Sequence, residues 1–173
     1  TAVQDEELLP VFERIATKKH SDLYLVKPQD ITDITYGLVT SFTYKRQTYK
    51  ISMLGVHQVL NAALSIEILK QLEQRNLVRL DNHMLLMGLY KTYWPGRMEV
   101  FGNIILDGAH NIGGTIALKE SMDILFKDSY IKVLYTSMAD KEYFDNISFK
   151  FSLDLSIEFF ASVRLIKKLF INV

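Results

Sequence analysis

Cysteine is absent from the 173 residues of the chain. Without it the chain can form neither a disulfide framework nor a thiolate metal site, which fits a reducing compartment. No apolar run approaches the roughly 18 residues of a membrane-spanning helix, and the start of the chain lacks the basic and apolar segments of a secretion signal. We therefore expect a soluble, cytoplasmic protein with no membrane partner.

An excess of charge of either sign is absent as well. Lys and Arg number 20, Asp and Glu also number 20, and the formal net charge is +0. A strongly basic surface for nucleic acid or anionic membranes is therefore not predicted, and we expect no nucleic-acid partner. Any charged ligand must be held by local groups. The length allows one domain or pieces of two, because domains usually run to roughly 100–150 residues.

Three segments in the first part of the chain have the apolar spacing of helices. They are residues 5–18, residues 57–76 with Asn76 as C-cap, and residues 81–90 with Asp81 as N-cap. The segment 57–76 has a wide apolar stripe, which is typical of a helix packed against a core. We expect amphipathic helices at all three places.

Strand patterns lie between the first two of these helices. Residues 22–26 predict a buried strand. Residues 31–55 are rich in Thr, Tyr, Ile and Val, and they predict two or three antiparallel strands that meet near residues 46–47.

The Trp-Pro-Gly triplet at residues 94–96 breaks the regularity, because proline and glycine favour a turn. We place a domain boundary there, between residues 1–95 and residues 96–173. Beyond it the predicted elements are strands at 103–107, 130–138 and 155–163 and helices at 111–126 and 140–147. Alternating strands and helices predict right-handed βαβ units and a mostly parallel sheet, so the fold class is α/β.

Polar residues gather where the first of these later strands ends. Asp107 ends the strand, and His110 and Asn111 begin the helix that follows. In a parallel α/β sheet, ligands lie beyond the carboxyl ends of the strands, where the next helix presents free backbone N–H groups. A carboxylate suits ribose hydroxyls, and histidine and arginine suit phosphate oxygens. Because Arg97 lies at the other end of a hairpin-like segment, the pattern indicates a nucleotide site.

Each of these residues also has a purely structural interpretation. Asn111 could only cap the helix, Asp107 could bind neighbouring loop amides, and His110 could be an ordinary polar loop residue. Trp94 is expected to pack at the junction between the two halves of the chain. Both interpretations stay open at this point.

Other ligand-binding motifs are missing from the sequence. Gly113, Gly114 and Thr115 lack the lysine of a phosphate-binding P-loop, and residues 108–114 do not match G-x-G-x-x-G. The histidines are scattered, without the close pairs of a zinc site. We therefore predict no metal held by this chain alone.

The motifs WPGRMEV at residues 94–100 and IILDGAHN at residues 104–111 resemble the C-terminal domain signature of folylpolyglutamate synthases and dihydrofolate synthases, in the Mur ligase superfamily. Residues 54–69, LGVHQVLNAALSIEIL, resemble the G-x-H-Q-x-x-N-A helix late in that family's central ATPase domain. SMADKEY at residues 137–143 resembles its downstream Asp-Lys turn. The resemblance implies the end of a central ATP-binding domain up to residue 95, followed by a Rossmann-like C-terminal ligase domain.

The same resemblance implies an ATP-dependent ligase that joins L-glutamate to the terminal carboxylate of folate or tetrahydrofolate. ATP would phosphorylate the carboxylate, and the amino group of glutamate would attack the acyl phosphate. ATP would lie between the domains, and closure of the C-terminal domain would exclude water. A monomer is expected, and dihydrofolate synthase activity stays open.

Carried over by motif, the resemblance assigns Asn61 to the adenine, Arg97 to the phosphates, Asp107 to the ribose and His110 to the phosphate region. Arg97 and His110 would be the catalytic residues. For Asn61 the alternative is a polar side chain that makes only local hydrogen bonds on a largely apolar helix.

The sequence also departs from the family pattern. Residue 112 is Ile where the family usually has Pro. The family's P-loop and its Mg²⁺ ligands precede the helix with Asn61 and have no counterpart here, so we expect a fragment that is inactive alone. The residues after Asp145 do not match the family, and the C-terminal domain is expected to be incomplete.

Two other interpretations stay open. One is another Mur-type amino-acid ligase acting on a peptidoglycan precursor, although Gly108 and the Trp-Pro-Gly-Arg segment favour the folate branch. The other is a non-catalytic nucleotide-binding module that retains the fold.

Overall fold

The computed structural model describes residues 1–3, 5, 7–129, 131–135, 157–159 and 169–172. The chain divides into two units. The first unit comprises Thr1–Thr35, Val39–Ser52 and Gln58–Thr92, and the second unit comprises Tyr36–Leu38, Met53–His57 and Tyr93–Val173. The predicted helix at 140–147 and the Asp-Lys motif at 137–143 lie outside the described residues.

The first unit contains an antiparallel sheet of three strands. These strands are β1 (Ile31–Thr35), β2 (Thr40–Tyr44) and β3 (Gln47–Ile51), in that order across the sheet. The β2–β3 hairpin closes at the pair Tyr44↔Gln47. Lys45 and Arg46 between them both have positive φ, 49° and 64°, as a two-residue type I′ turn requires. The predicted antiparallel strands and their meeting point are confirmed.

Capping residues mark the end of one helix of the first unit and the start of the next. In α2 (His57–Gln74), the chain turns at Asn76, whose φ is 56°, and the Leu77 N–H donates to the Leu72 carbonyl at 2.9 Å. This is a Schellman cap. The side chain of Asp81 accepts the Met84 N–H at 2.8 Å at the start of α3 (Asn82–Lys91).

The core of the first unit lies between its strands and helices. Phe42 of β2 and Tyr49 of β3 are fully buried, and their rings stack with centroids 5.7 Å apart. Other buried apolar residues of this unit are Val26, Ile31, Tyr44, Ile51, Val59, Ala62, Ala63, Ile66 and Leu85. Four of these lie on α2, which confirms that its apolar stripe faces the core.

The first helix of the chain is shorter and more exposed than its pattern predicts. Helix α1 (Leu9–Lys18) begins four residues later than expected, with Pro10 in its first turn, and none of its residues is buried. Proline is tolerated in a first turn because its missing N–H has no helical acceptor there, whereas an earlier start would place it farther inside the helix.

The strand predicted at residues 22–26 is wrong. Val26 is fully buried, but its N–H donates to the carbonyl of Thr1 at 2.9 Å, and the segment has no strand conformation. An apolar run becomes a strand only when a neighbouring strand supplies a ladder of hydrogen bonds, which the local pattern cannot reveal.

The described residues of the second unit include a sheet of five strands and the helix α4. The elements are β4 (Glu99–Phe101), β5 (Ile104–Asp107), α4 (Ile112–Leu125), β6 (Lys132–Tyr135), β7 (Ile157–Phe159) and β8 (Leu169–Asn172). Across the sheet the order is β4-β5-β8-β6-β7. The strands predicted at 103–107, 130–138 and 155–163 and the helix at 111–126 are confirmed over these shorter ranges.

The prediction of a mostly parallel sheet does not hold for the described strands. Only β6 and β7 pair in parallel, and the pairs β4–β5, β5–β8 and β8–β6 are antiparallel. The reason is β8, which lies between β5 and β6 and runs opposite to both. The two strands flanking α4 therefore point the same way without being hydrogen-bonded neighbours.

The core of the second unit forms between this sheet and α4. Its buried residues are Leu54, Met98, Ile105, Leu118, Met122 and Val133. Ser121 of α4 is fully buried, and its Oγ accepts the Val56 N–H at 3.0 Å while donating to the Ala117 carbonyl at 2.6 Å. Segment 53–57 is thereby fixed to α4.

Candidate functional site

A short β-hairpin brings the predicted site residues of the second unit together. Strand β4 pairs with β5 from Glu99↔Leu106 to Phe101↔Ile104, and the chain turns at Gly102, whose φ is 59°. The open end of this hairpin therefore sets residues 94–98 beside residues 107–110. The sequence-based expectation that Arg97 returns toward Asp107 is confirmed.

The turn before the hairpin presents Arg97 to solvent. The Arg97 N–H donates to the Trp94 carbonyl at 3.3 Å, and Gly96 has φ 69°, so residues 94–97 form a type II turn with Pro95 at its second position. The Arg97 side chain is exposed and makes no ion pair with the described residues. Trp94 is 64% exposed, so the expected packing of its indole is wrong.

Asp107 is buried and holds two loops through their backbone. Its residue exposure is 5%, Oδ2 accepts the Met98 N–H at 2.9 Å, and Oδ1 accepts the Ala109 N–H at 2.7 Å. The structural interpretation, in which the carboxylate binds neighbouring loop amides, therefore describes these contacts. Each carboxylate oxygen can still accept a second hydrogen bond.

Two glycines allow the loops to approach closely. The Gly108 N–H donates to the Gly96 carbonyl at 2.7 Å. A Cβ on Gly108 would lie 3.3 Å from that same oxygen, which is tighter than most side chains tolerate. The atom that approaches Gly108 in the structure thus belongs to the chain itself.

Met98 anchors the turn to the core from the other side. Its side chain is 2% exposed within the core of the second unit, although its backbone has φ 45°, a left-handed conformation that is uncommon for residues other than glycine. The bond from its N–H to Asp107 helps hold this conformation. Arg97 is therefore exposed between two neighbours whose backbones are fixed.

His110 and Asn111 lie at the start of α4, as predicted. Nδ1 of His110 donates to the Gly108 carbonyl at 2.9 Å, so Nε2 is the ring nitrogen that this bond leaves available. Asn111 is the N-cap, because its Oδ1 accepts the Gly114 N–H at 2.7 Å. His110 is exposed, so it can contact a ligand.

Asn61 belongs to the first unit, unlike the other three predicted residues. It is exposed on α2, and its Nδ2 donates to Gln58 Oε1 at 3.1 Å. This local bond matches the structural alternative for Asn61. The Asn61 Oδ1 and the second amide hydrogen remain the groups with which it would bind a base.

His57 is a candidate site residue that the sequence analysis mentioned only as part of a motif. Gly55 has φ 116°, and a Cβ there would lie 2.8 Å from His57 Cε1 and 3.4 Å from Met98 Sδ. The His57 ring and the Met98 side chain thus lie on the same side of Gly55. Burial lowers the pKa of His57; the charge of Asp107 opposes this effect, and that of Arg97 adds to it. The signal in the sequence was the Gly-x-His spacing.

Neither a metal cluster nor a membrane helix is found in the described part of the chain. No group of three or more His, Asp or Glu residues there could hold a metal ion. No helix among the same residues has both the length and the apolar character needed to cross a bilayer.

Several known proteins resemble this chain. No protein-family model matches the chain. Over 109 residues it is 38% identical to the dihydrofolate synthase/folylpolyglutamate synthase of Bacillus subtilis strain 168, which covers 60% of this chain and 25% of that protein. The chain is similar to folylpolyglutamate and dihydrofolate synthases. The resemblance stated from the sequence is confirmed.

Solved structures support the same conclusion. The folylpolyglutamate synthase of Thermotoga maritima superposes with a TM-score of 0.70 at 25% identity, over 92% of this chain and 39% of that one. A folylpolyglutamate synthase in complex with AMPPCP and folate gives a TM-score of 0.69 at 22% identity, over 84% and 39% of the two chains. The α/β fold is therefore confirmed. The chain spans about a quarter of the Bacillus protein and about two-fifths of these solved chains.

Proposed function

We propose that this chain supplies the C-terminal part of an ATP-dependent ligase that joins L-glutamate to the terminal carboxylate of folate or tetrahydrofolate. The observation that carries the proposal is the open end of the β4–β5 hairpin, where Arg97, Asp107 and His110 meet within motifs resembling those of folylpolyglutamate synthases. The similarity to a bifunctional Bacillus protein extends the proposal to dihydrofolate synthase activity.

The proposed division of the chain follows the family. Residues 1–95 are the C-terminal portion of a central ATP-binding domain, and residues 96–173 belong to a Rossmann-like C-terminal ligase domain. We further propose a cytoplasmic monomer whose partners are folate and glutamate, with neither nucleic acid nor membrane among them.

The proposed chemistry begins with transfer of the γ-phosphoryl group of ATP to the folate carboxylate. The glutamate amino group then attacks the acyl phosphate, an amide bond forms, and ADP and phosphate leave. Arg97 and His110 are the catalytic residues in this proposal, because a guanidinium and an imidazolium, the latter through Nε2–H, can donate hydrogen bonds to phosphate oxygens as charge moves between them.

The four proposed nucleotide-binding residues differ in exposure and in the hydrogen bonds that they already make. Arg97 and His110 are exposed side chains on a fixed backbone, as phosphate contacts require. Asn61 is proposed for the adenine with its remaining amide groups. Asp107 is proposed for the ribose, and any such contact has to be added to the two backbone hydrogen bonds that its carboxylate already accepts.

The described residues offer less support for Mg²⁺ binding than for nucleotide binding. No set of carboxylates and histidines in the described residues could coordinate the ion. From the resemblance to the family we propose that Mg²⁺ ligands lie upstream in the complete ligase, and we assign no step of the reaction to this chain through the metal.

The test is ATP turnover by a longer protein that contains this chain. With ATP, tetrahydrofolate and glutamate, we expect ADP formation that depends on both folate and glutamate, and the 173-residue chain alone should release none. Turnover with a UDP-muramoyl substrate instead would assign the chain to the peptidoglycan branch. ATP binding without turnover on any of these substrates would favour a non-catalytic nucleotide-binding module.

A further inference from the structure

A second carboxylate lies at the open end of the hairpin. Glu99 is the first residue of β4, two positions after Arg97. Its Oε2 accepts the Gly96 N–H at 2.8 Å, and its Oε1 accepts the hydroxyl of Tyr93. The bond to Glu99 raises the pKa of Tyr93, as expected when a hydroxyl donates to a carboxylate.

These contacts fix the peptide group immediately before Arg97. Gly96 donates its N–H to Glu99, and its carbonyl accepts the Gly108 N–H at 2.7 Å. Glycine has more backbone freedom than any other residue, so a turn built on Gly96 needs such bonds to keep one conformation. On the other side of Arg97, Met98 is held by Asp107 and by the core.

The charges of Arg97 and Glu99 do not neutralise each other in an ion pair. An acidic residue two positions from an arginine could pair with it and neutralise it. Among the described residues, Arg97 forms no ion pair, while Glu99 accepts hydrogen bonds from Gly96 and Tyr93. The positive charge of Arg97 is thus left for a ligand.

We propose that Glu99, supported by Tyr93, is a positioning residue that holds Arg97 in the orientation needed to bind the phosphate groups of a nucleotide. This inference rests on the proposed function, since it takes a nucleotide phosphate as the partner of Arg97. Glu99 touches no ligand itself. Its effect passes through the Gly96 peptide group to the guanidinium.

The experiment compares variants of the 173-residue chain by calorimetric titration with ADP and with adenosine. The variants are Glu99→Gln, Tyr93→Phe, Arg97→Ala and the Glu99→Gln/Arg97→Ala double variant. Arg97→Ala should weaken ADP binding by about tenfold or more, the size of one lost charge-assisted hydrogen bond. Glu99→Gln should cause a smaller loss of ADP affinity, Tyr93→Phe a smaller one still, and adenosine affinity should not change.

The double variant separates positioning from an independent contact. If Glu99 acts through Arg97, the double variant binds ADP no more weakly than Arg97→Ala alone. Losses that multiply in the double variant, or an ADP affinity in Glu99→Gln equal to that of the unmodified chain, overturn the inference. Glu13→Gln, on the exposed helix α1, is the matched control and should bind as the unmodified chain does.

A second measurement judges the inference apart from the proposed function. Failure of the unmodified chain to bind ADP would count against its nucleotide site. Amide hydrogen exchange at Gly96 would then decide on Glu99, because its N–H is protected by the carboxylate. Faster exchange at Gly96 in Glu99→Gln than in Glu13→Gln supports the positioning role, and equal exchange overturns it.

Discussion

Among the residues that the structure describes, each of the two units buries one carboxylate, and the two carboxylates accept hydrogen bonds from different kinds of donor. Glu67 in the first unit and Asp107 in the second are both 5% exposed. Glu67 accepts hydrogen bonds from the side chains of Tyr44 at 2.9 Å, Lys45 at 2.5 Å and Gln71 at 2.8 Å. Asp107 instead accepts two backbone N–H groups of neighbouring loops.

Because their donors differ, Glu67 connects secondary-structure elements, whereas Asp107 holds loops in place. The donors to Glu67 come from the end of β2, the turn after it, and the next turn of α2, so the carboxylate connects a helix to the sheet. The donors to Asp107 come from the residues next to Arg97 and His110, the two exposed side chains proposed to bind phosphate. The buried carboxylate therefore joins a helix to the sheet in the first unit and holds two loops together in the second.

Removal of the second-unit carboxylate should have the largest effect. Asp107→Ala leaves the N–H groups of Met98 and Ala109 without their acceptor, and we expect a loss of about 3 kcal/mol in the free energy of unfolding, since each buried unsatisfied group costs about 1–3 kcal/mol. Urea unfolding measures the loss. The control is Asp123→Asn, whose exposed carboxylate pairs with Lys119, and for this variant we expect a change below about 0.5 kcal/mol.

Asp107→Asn sharpens this prediction. One amide oxygen can replace only one of the two carboxylate acceptors, so the loss should fall between that of the control and that of Asp107→Ala. In a complete ligase, a ribose contact by Asp107 predicts that nucleotide binding by Asp107→Ala weakens by about 1.5–3 kcal/mol. Unfolding of Asp107→Ala with the midpoint of the unmodified chain would contradict the structural role.

Removal of the first-unit carboxylate should have a smaller effect with a distinct pH dependence. Burial by itself raises the pKa of Glu67, but hydrogen bonds from Lys45, Gln71 and Tyr44 outweigh it and leave the pKa below its ordinary value of 4.5. Glu67→Gln should cost about 1–2 kcal/mol at neutral pH, because the Lys45 partner is half exposed and keeps its hydration.

The sign of the pH effect follows from the direction of the pKa shift. A depressed folded-state pKa gives a stabilisation that is fully present above the ordinary glutamate value and is lost as the pH falls below it. The difference in stability between the unmodified chain and Glu67→Gln should therefore shrink in acid. The control is Glu73→Gln on the exposed side of α2, and a difference that stays constant down to strongly acidic pH would contradict the assignment.

The helix caps of the two units should give the smallest and most similar effects. Asp81 and Asn111 each accept one N–H of the first helical turn, at 2.8 Å and 2.7 Å. Replacing either by alanine should cost about 1 kcal/mol in urea unfolding. Asn111→Asp should add up to about 1 kcal/mol, because a negative charge at a helix N-terminus interacts favourably with the dipole. A destabilised Asn111→Asp would show that neighbouring charges outweigh the dipole there.

Much of the local structure could be predicted from particular residues. Asn76, Asp81 and Asn111 mark helix ends, and the Pro-Gly pair at residues 95–96 sets a type II turn. Such features depend on a few adjacent residues, whose side-chain hydrogen bonds and backbone preferences act within one turn. The meeting of Arg97 and Asp107 followed from the short hairpin between them.

The candidate site was only partly predictable. The motifs identified Arg97, Asp107 and His110, and binding of loop amides by Asp107 was one of the two interpretations left open, but the burial of Asp107 and its bond to Met98 could not be read from the sequence. They also left Glu99 and His57 unassigned, because the effects of these residues depend on a left-handed glycine and on packing around Met98. Such contacts arise only when separate segments meet.

The sequence by itself determined the helices, their caps, the hairpin turns and the resemblance to folylpolyglutamate and dihydrofolate synthases. The tertiary structure alone decided that β8 lies between β5 and β6, which makes the second sheet mostly antiparallel over its described strands, and that Glu67 and Asp107 are buried with their particular donors. The physical reason is the separation along the chain of the residues that interact. Turn and helix preferences are properties of neighbouring residues, whereas strand order and the partners of a buried charge depend on contacts between residues far apart in the chain.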